Sequence, residues 1–343
     1  MKKSILLLLL TIFLFRLDAG ESYNILMISD THFGGADTFY TGENAALRTK
    51  KNIYRADLAM KHTRAMFADM VRKSDAKTRF AVHCGDIIEG YTKNQETHEK
   101  VLRESFALMH EYFNKIPLYF VKGNHEAIGI GGKKAWENVG VPELSGISGK
   151  KLSKSCYTVR SGDDLFIFLD YSDPGYPEFA KNVLDSLTFK PRYVFAVIHW
   201  EVVPFYLECK KKLCDVLAPY NAIILHGHSH RTQHLRYEKN GGTITTFSIG
   251  SALLPEVKDI LPAKIDRDLP FYIKSLERKV ARYPEMQKIL RQDSLPYVTY
   301  YTEYSTKNRW QGYARLHISD EGVFAELQSG DLSEKPLKIK LTR

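Results

Sequence analysis

Short, continuous apolar runs that each stop at a polar, ligand-type residue constrain the fold of this chain more than any other feature of its sequence. Three of them lie in the first half, at YNILMISD (23–30), TRFAVHCGD (78–86) and PLYFVKGNHE (117–126). Continuous apolar runs of this length are typical of buried strands. The segments between them, 55–75 and 96–116, carry apolar residues at helical spacing, which predicts two helices with one buried face each. The alternation of strand and helix predicts an α/β layered fold.

The second half of the sequence predicts a mixed arrangement. Two apolar stretches around SGDD predict an antiparallel hairpin over 155–170. A helix is predicted at 177–187, strands at 192–200 and 221–228, and further strands within 241–254 and 309–330. Helical apolar spacing at 271–292 indicates a helical insertion over 255–295. Since no internal repeat or low-complexity linker interrupts the chain, we expect one domain over 20–343.

The first 19 residues have the pattern of a signal peptide. Two lysines precede about a dozen apolar residues, and small residues follow at Ala19 and Gly20. The apolar run is short for a membrane span, and an uncleaved N-terminal anchor is the alternative. We therefore expect an exported protein, periplasmic, cell-surface or secreted, with no transmembrane domain once this peptide is removed.

The charge of the chain excludes little by itself. The 343 residues carry a formal net charge of +9, which suits anionic ligands such as phosphates and equally suits solubility. The basic residues are scattered rather than arranged in a stripe, and no segment resembles a nucleic-acid-binding module. A nucleic-acid-binding function is therefore not expected.

Four cysteines could be oxidised in an exported protein. Cys209 and Cys214 are near in sequence, but five helical steps place them about 140° apart around a helix axis. A disulfide between them is therefore disfavoured if the segment is helical. Cys84 follows an apolar run, and we expect it to be a buried thiol.

Five of the predicted strands end in residues that can bind a metal ion. These residues are Asp30 with His32, Asp86, Asn124 with His125, His199, and His228 with His230. Ligands of sheet enzymes gather at the carboxyl ends of strands, so we expect these side chains to converge. A glycine precedes Asp86, Asn124 and His228, and it permits the sharp turn that directs the next side chain into a cleft.

The chemistry of this set points to two metal ions. Carboxylates, imidazoles and one amide, without a thiolate, suit Mn, Fe or Zn. With His125 set aside, seven candidate ligands remain, which are too many for one ordinary site and fit two. A shared aspartate could bridge two ions about 3.5–4 Å apart, the spacing that clamps an in-line displacement at phosphorus. Each cation would also lower the pKa of coordinated water and supply hydroxide near neutral pH.

The ordered series Asp-x-His, Gly-Asp, Gly-Asn-His-Glu, His and Gly-His-x-His resembles the calcineurin-like metallophosphoesterase superfamily over residues 24 to about 250. The resemblance implies a four-layer α/β/β/α sandwich with mixed sheets and a dimetal site at its strand ends. One metal would be held by Asp30, His32 and His230, and the other by Asn124, His199 and His228. Asp86 would bridge the two metals.

The resemblance also implies how the site would react. Asn124 and His125 would contact the phosphate, and His125 is the candidate proton donor to the leaving oxygen. A hydroxide shared by the two metals would be the nucleophile, without a covalent enzyme intermediate. The implied activity is hydrolysis of small-molecule or polymeric phosphate mono- or diesters.

At two places the sequence differs from groups of relatives in this superfamily, and each difference disfavours the activity of that group. Purple acid phosphatases carry a tyrosine three residues after the bridging aspartate, where this chain has Glu89, so a tyrosinate-bound ferric centre is not expected. Protein serine/threonine phosphatases carry an Asp-Arg pair after that aspartate, whereas GDIIEG has Glu-Gly. Protein dephosphorylation is therefore not favoured.

The alternative function is a catalytically silent envelope protein that uses the metal site to bind phosphorylated ligands. The intact His125 argues against it, since a silent homologue has no evident need for a proton donor. The sequence leaves open the natural substrate, the preference between monoesters and diesters, the metal identity and the oligomeric state.

Several other segments leave two interpretations open. His226 either orients a ligand or is a packed strand histidine. IGIGGKK (128–134) either cradles phosphate through backbone N–H groups with Lys133 or Lys134 nearby or is a plain mobile loop. The basic residues after the first strand either overhang the cleft or form a solvated face: Arg48, Lys50 and Lys51. The insertion at 255–295 could bind a partner.

Overall fold

The computed structural model describes residues 20–200, 208–239, 241–252, 270, 274, 298–304, 312–329, 332–333 and 335–342. The predicted signal peptide at 1–19 lies outside these residues. The predicted insertion at 255–295 also lies outside them, apart from Pro270 and Lys274.

The described chain forms two mixed sheets. Their strands are β1 (Tyr23–Ile28), β2 (Thr78–His83), β3 (Leu118–Phe120), β4 (Tyr157–Ser161), β5 (Asp164–Leu169), β6 (Val194–Ile198), β7 (Ile223–His226), β8 (Thr232–Lys239), β9 (Gly242–Ser248), β10 (Val298–Tyr304), β11 (Gly312–Ser319), β12 (Gly322–Ser329) and β13 (Leu337–Lys340). The first sheet has the order β13-β12-β11-β1-β2-β3, and the second has the order β10-β8-β9-β7-β6-β5-β4. The predicted hairpin over 155–170 is confirmed as the antiparallel pair β4–β5.

Parallel strands occupy the part of each sheet that carries the predicted ligands. In the first sheet β2 pairs parallel with both β1 and β3. In the second sheet β5, β6, β7 and β9 pair parallel in that order. Because parallel strands run in one direction, their carboxyl ends lie at a common edge of each sheet.

The helices lie on the outer faces of the sheets. They are α1 (Ala45–Arg72), α2 (Gln95–Tyr112), α3 (Gly132–Ala135), α4 (Val141–Ser148), α5 (Tyr176–Asp185) and α6 (Glu208–Leu217), and a π-helical turn, Trp136–Gly140, joins α3 to α4. The sequence predicts α1 only from residue 55 onwards, but the helix begins at Ala45. The difference has a physical reason: the first turns of α1 are largely exposed, so they carry no apolar periodicity.

Aromatic and branched side chains fill the space between the layers. Phe80 of β2 and Phe166 of β5 join the two sheets, with ring centroids 5.0 Å apart. Phe106 of α2 stacks on Phe120 of β3 at 5.1 Å, on the outer side of the first sheet. Helices α5 and α6 contribute buried residues such as Ala180 to a second cluster, on the other face of the second sheet. The predicted four-layer α/β/β/α sandwich is confirmed.

Within the part of the chain that the structure describes, every helix is too short or too polar to cross a lipid bilayer.

Candidate metal centre

The strand-end residues of the two sheets meet in one pocket. Loops after β1, β2 and β3 of the first sheet face loops after β6 and β7 of the second. Three groups of side chains each bring one ligand atom per residue within 4.8 Å of one another: Asp30, His32 and His230; His32, Asp86 and His125; and Asp86, His199 and His228. The convergence that the sequence predicts is therefore present in the fold.

The first group surrounds the end of β1. The Nε2 atoms of His32 and His230 lie 3.2 Å apart. The Oδ1 atom of Asp30 is 3.2 Å from His230 Nε2 and 3.9 Å from His32 Nε2. Burial would raise the pKa of Asp30, but the contact with His230 outweighs it and lowers the pKa to about 2. This carboxylate is therefore ionised near neutral pH.

The second group is centred on Asp86. Its Oδ2 atom lies 3.0 Å from His199 Nε2 and 3.9 Å from His32 Nε2, so this one carboxylate faces both groups. Asn124 joins the group through its Oδ1 atom, 3.1 Å from His199 Nε2. Burial lowers the pKa of His228 to about 4, which leaves its imidazole neutral near pH 7. Neutral imidazole is the form that ligates metal ions.

Hydrogen bonds to backbone carbonyls fix the orientation of two of the histidines. The Nδ1–H of His199 donates to the Cys84 carbonyl at 2.8 Å. The Nδ1–H of His125 donates to the Glu89 carbonyl at 2.6 Å. Because a carbonyl oxygen can only accept, these bonds leave Nε2 of each ring as the nitrogen available to the pocket.

The backbone at the pocket is strained in a systematic way. Five residues that reach into it adopt the left-handed region, with φ angles of 54° at Asp30, 46° at His32, 53° at Asp86, 67° at His228 and 51° at His230. Such a conformation in a residue other than glycine costs on the order of 1–3 kcal/mol and persists where the surrounding fold enforces it. Strain of this kind clusters at functional sites.

Two of the glycines that precede predicted ligands allow the loops to approach closely. Gly85, before Asp86, has φ +92°, and a Cβ there would lie 2.8 Å from His199 Nδ1. A Cβ on Gly227, before His228, would lie 1.9 Å from Ser29 Oγ and 2.5 Å from Asp30 Oδ2. A side chain at position 227 would therefore separate the β7 loop from the β1 loop.

Glu89 is a site residue whose role the sequence does not reveal. Its Oε2 atom lies 3.0 Å from His32 Nδ1. Its Oε1 atom accepts hydrogen bonds from Tyr40 Oη at 2.6 Å and Asn52 Nδ2 at 3.0 Å. Burial would lower the pKa of His32, but the Glu89 carboxylate outweighs it and raises the pKa to about 9. Glu89 thus anchors the side of His32 that faces away from Asp30 and His230.

Glu126, the last residue of the Gly-Asn-His-Glu block, is a second residue that the sequence leaves without a role. Its buried carboxylate accepts hydrogen bonds from the backbone N–H groups of Asp86, Ile87, Ile88 and Gly123. Burial raises its pKa to about 7, although the backbone bonds act in the opposite direction. Glu126 therefore ties the loop after β2 to the loop after β3. Only the position of the glutamate in that block could have signalled this contact.

Trp200 forms one wall of the pocket. Its ring stacks on His228 with centroids 4.2 Å apart, and Tyr171 contacts it at 5.2 Å. Trp200 is 36% exposed, so it borders both the pocket and solvent.

The structure also shows where other residues of interest in the sequence lie. His226 is buried, 1% exposed, at the end of β7. Cys84 is buried as predicted, and burial raises the pKa of its thiol. The segment Glu208–Leu217 is helical, the condition under which a Cys209–Cys214 disulfide is disfavoured, and Cys214 Sγ lies 2.8 Å from Tyr237 Oη.

The donor set fits divalent metal ions. The Nε2 atoms of His32 and His230 lie 3.2 Å apart, and a carboxylate oxygen lies near each of them. Two such nitrogens stabilise each other little, whereas a cation between them would be bound by both. Imidazole, carboxylate and amide donors without a thiolate suit borderline and hard divalent ions. The side chains present could therefore hold metal.

Comparisons with known proteins agree with the fold. The family model of the calcineurin-like phosphoesterases matches residues 23–232, well over half of the chain, and the chain belongs to this family. Metal-dependent hydrolysis of phosphoesters is therefore supported at the level of the family. A search of curated protein sequences gives no significant match.

Solved structures resemble this chain in fold at low sequence identity. GAP50, the anchor in the inner membrane complex of Plasmodium, matches with a TM-score of 0.50 and 11% identity, covering 94% of this chain and 89% of its own. A dimetal phosphatase from Danio rerio has a TM-score of 0.48 and 12% identity, with coverage of 93% and 99%. The Haemophilus influenzae NAD nucleotidase has a TM-score of 0.41 and 12% identity, covering 94% of this chain and 51% of its own.

Proposed function

We propose that this chain is a dimetal-dependent phosphohydrolase that cleaves phosphate mono- or diesters. The observation that carries the proposal is Asp86, whose single Oδ2 atom faces His32 on one side and His199 on the other. A carboxylate placed between two groups of donors suits a pair of ions better than a single one.

The proposed ligands divide between two ions. Asp30, His32 and His230 would hold one, Asn124, His199 and His228 would hold the other, and Asp86 would contact both. Bound divalent ions would supply Lewis-acid activation of water and neutralise charge on the phosphoryl oxygens. Mn, Fe and Zn all suit this donor set.

His125 is proposed to act on the substrate rather than on a metal. Its backbone N–H donates to Asp86 Oδ1 at 2.9 Å, and its Nδ1–H is held by the Glu89 carbonyl. The Nε2 atom, 4.0 Å from Asp86 Oδ2, is therefore directed at the pocket. Burial lowers the pKa of this imidazole, which makes its protonated form a stronger acid toward a leaving oxygen. Asn124 would bind the same phosphate.

We also propose that the chain is exported and acts as one domain. The lysine–apolar–small pattern of residues 1–19 supports export. The absence of a repeat or low-complexity linker in the sequence supports a single domain over 20–343.

Turnover of two chromogenic esters tests the activity. Protein loaded with Mn²⁺ should hydrolyse nitrophenyl phosphate, bis-nitrophenyl phosphate or both. His125→Ala should reduce kcat by about 10²–10⁴-fold, the usual contribution of a positioned acid or base, and should leave the metal content unchanged. His110→Ala is the matched control, because His110 contacts Glu143 on the surface.

The outcomes separate the two functions. No turnover of either ester by metal-loaded protein would count against a hydrolase. If there were no turnover and inorganic phosphate bound with equal affinity to the wild type and the His125→Ala variant, the chain would instead be assigned as a catalytically silent phosphate-binding protein.

A further inference from the structure

Large apolar side chains are exposed mainly in one region of the described surface. Phe39, Leu47, Ile53, Tyr54 and Ile130 are 49–86% exposed. Elsewhere in the residues that the structure describes, only Trp200 at the pocket wall and Leu337 are comparable. Single exposed apolar residues need no explanation, but a group of them marks an interaction site.

Backbone contacts join these residues into a continuous surface, which we call the rim surface and define as residues 39–54 with Ile130. Phe39 N–H donates to the Tyr91 carbonyl at 2.6 Å. Thr92 forms backbone bridges to Thr38 on one side and to Gly129 on the other. A groove of about 560 Å³ runs through this surface, lined by Phe39, Tyr40, Ala45, Ala46, Thr49, Lys50 and Ile53.

The start of α1 exposes apolar and basic side chains on one face. Leu47, Lys50 and Tyr54 are three and four residues apart and therefore lie on the same face of the helix. Ile53 lies beside them and lines the groove. This exposed face thus combines apolar side chains with a basic one, whose stem can lie along the apolar surface while its charge stays outside.

The charge of the rim surface is basic. Residues 39–54 contain three lysines and arginines and one acid, Glu43. Arg48 and Lys50 are exposed, and the Arg48 guanidinium lies 4.1 Å from the centre of the Tyr40 ring. A second copy of the chain would place like charges against each other. Aromatic residues and arginine are also common at protein–protein interfaces, so it is the excess of basic over acidic residues that favours an anionic lipid surface.

The rim surface borders the mouth of the metal centre. The Tyr40 hydroxyl donates to Glu89, and the Glu89 carboxylate contacts His32. The Tyr91 ring lies 5.6 Å from the His125 ring and 4.6 Å from the Tyr40 ring. A partner that contacts the rim surface would therefore lie beside the mouth of the metal centre.

We propose that the rim surface docks onto an anionic lipid bilayer. Leu47, Ile53 and Tyr54 insert among the headgroups, and Arg48 and Lys50 contact the lipid phosphates. Each basic residue near such a surface adds on the order of fivefold to binding, and the contribution falls within a Debye length. This docking does not depend on the hydrolase activity, so either proposal can fail without the other.

Sedimentation of the full chain with lipid vesicles tests the proposal. Vesicles of phosphatidylcholine with phosphatidylglycerol should bind the wild type about 25-fold more tightly than pure phosphatidylcholine vesicles, and added salt should reduce the difference. Arg48→Gln with Lys50→Gln should remove this preference. Leu47→Gln with Tyr54→Gln should weaken binding to the anionic vesicles. Leu337→Gln, at an apolar residue that is 43% exposed elsewhere, is the matched control and should bind like the wild type.

The comparison isolates the rim surface, because residues 1–19 are the same in the wild type and every variant. Thermal melting verifies that each variant is folded. Equal binding by wild type and rim variants, or no preference for anionic vesicles, would overturn the proposal. A dimer detected by analytical ultracentrifugation and dissociated by Leu47→Gln would assign the surface to a second copy instead.

Discussion

At the scale of single residues, the side chains that point into the pocket were predictable and those that support them were not. Asp30, Asp86 and His228 follow strand ends by two or three residues, where residue type and position together indicate their chemistry. Glu89 and Glu126 act through contacts with segments far away in the sequence. The chain order does not show that Glu89 meets His32, 57 positions earlier, because the meeting depends on the parallel pairing of β1 with β2.

Glu89→Gln is expected to weaken metal binding. Glutamine keeps the shape of the side chain but removes the charge beside His32 Nδ1, and losing such a partner of a ligand histidine costs about 10–100-fold in metal affinity. Calorimetric titration with Mn²⁺ measures the change directly.

Glu143→Gln is a matched control, since Glu143 also contacts an imidazole, that of the exposed His110 at 2.6 Å. An affinity for Mn²⁺ that is unchanged by Glu89→Gln would show that the carboxylate does not support the ligand.

At the scale of elements, the sequence predicts the parallel centre of the sandwich well and its edges poorly. Continuous apolar runs predict β1, β2, β6 and β7, because these strands are buried. Strand β8, TQHLRYEK, mixes polar and apolar residues, and β13 is a mostly exposed edge. Neither pattern identifies a strand without its pairing partner, so both were missed.

Position 227, in the loop after β7, should not tolerate a side chain. Gly227→Ala would place a methyl group against Ser29 Oγ, and overpacking of this kind costs about 1–3 kcal/mol. Denaturant unfolding should show the loss in stability, and metal titration should show weaker binding.

Gly146→Ala is the matched control within α4, where a Cβ meets nothing within 4 Å. It should leave metal binding unchanged and stabilise the protein by up to about 1 kcal/mol, because alanine favours a helix. Equal metal affinities for the two variants would contradict the close approach of the β1 and β7 loops.

At the scale of the whole molecule, a buried histidine of β8 and a buried aspartate of α1 predict that stability falls in acid. His234 of β8 is 1% exposed, and neither ring nitrogen has a hydrogen-bond partner among the described residues. Burial lowers its pKa from 6.5 to about 3. Asp69 of α1 accepts a hydrogen bond from Tyr313 of β11 at 2.6 Å. Burial opposes ionisation of Asp69, but this bond and two basic neighbours outweigh it and lower its pKa.

Both shifts act in the same direction. Between pH 6.5 and about 3 the unfolded chain protonates His234 while the folded chain does not, so the free energy of unfolding decreases as pH falls. The contribution of Asp69 is present above its unfolded pKa and is lost as pH falls toward its depressed folded pKa. His234→Phe should therefore make stability less sensitive to acid, by about 2 kcal/mol at pH 5 relative to pH 7.5. Urea unfolding at both pH values measures this difference, and identical differences for the two proteins would contradict it.

The contacts of Glu126 have a consequence for how the pocket can open. One carboxylate holds four main-chain amides from two turns, so the corner formed by Asp86, Asn124 and His125 behaves as a single stiff piece. Any adjustment of the pocket during turnover is then expected on the opposite flank, where the indole of Trp200 meets water. We expect turnover to respond to the bulk of the side chain at position 200.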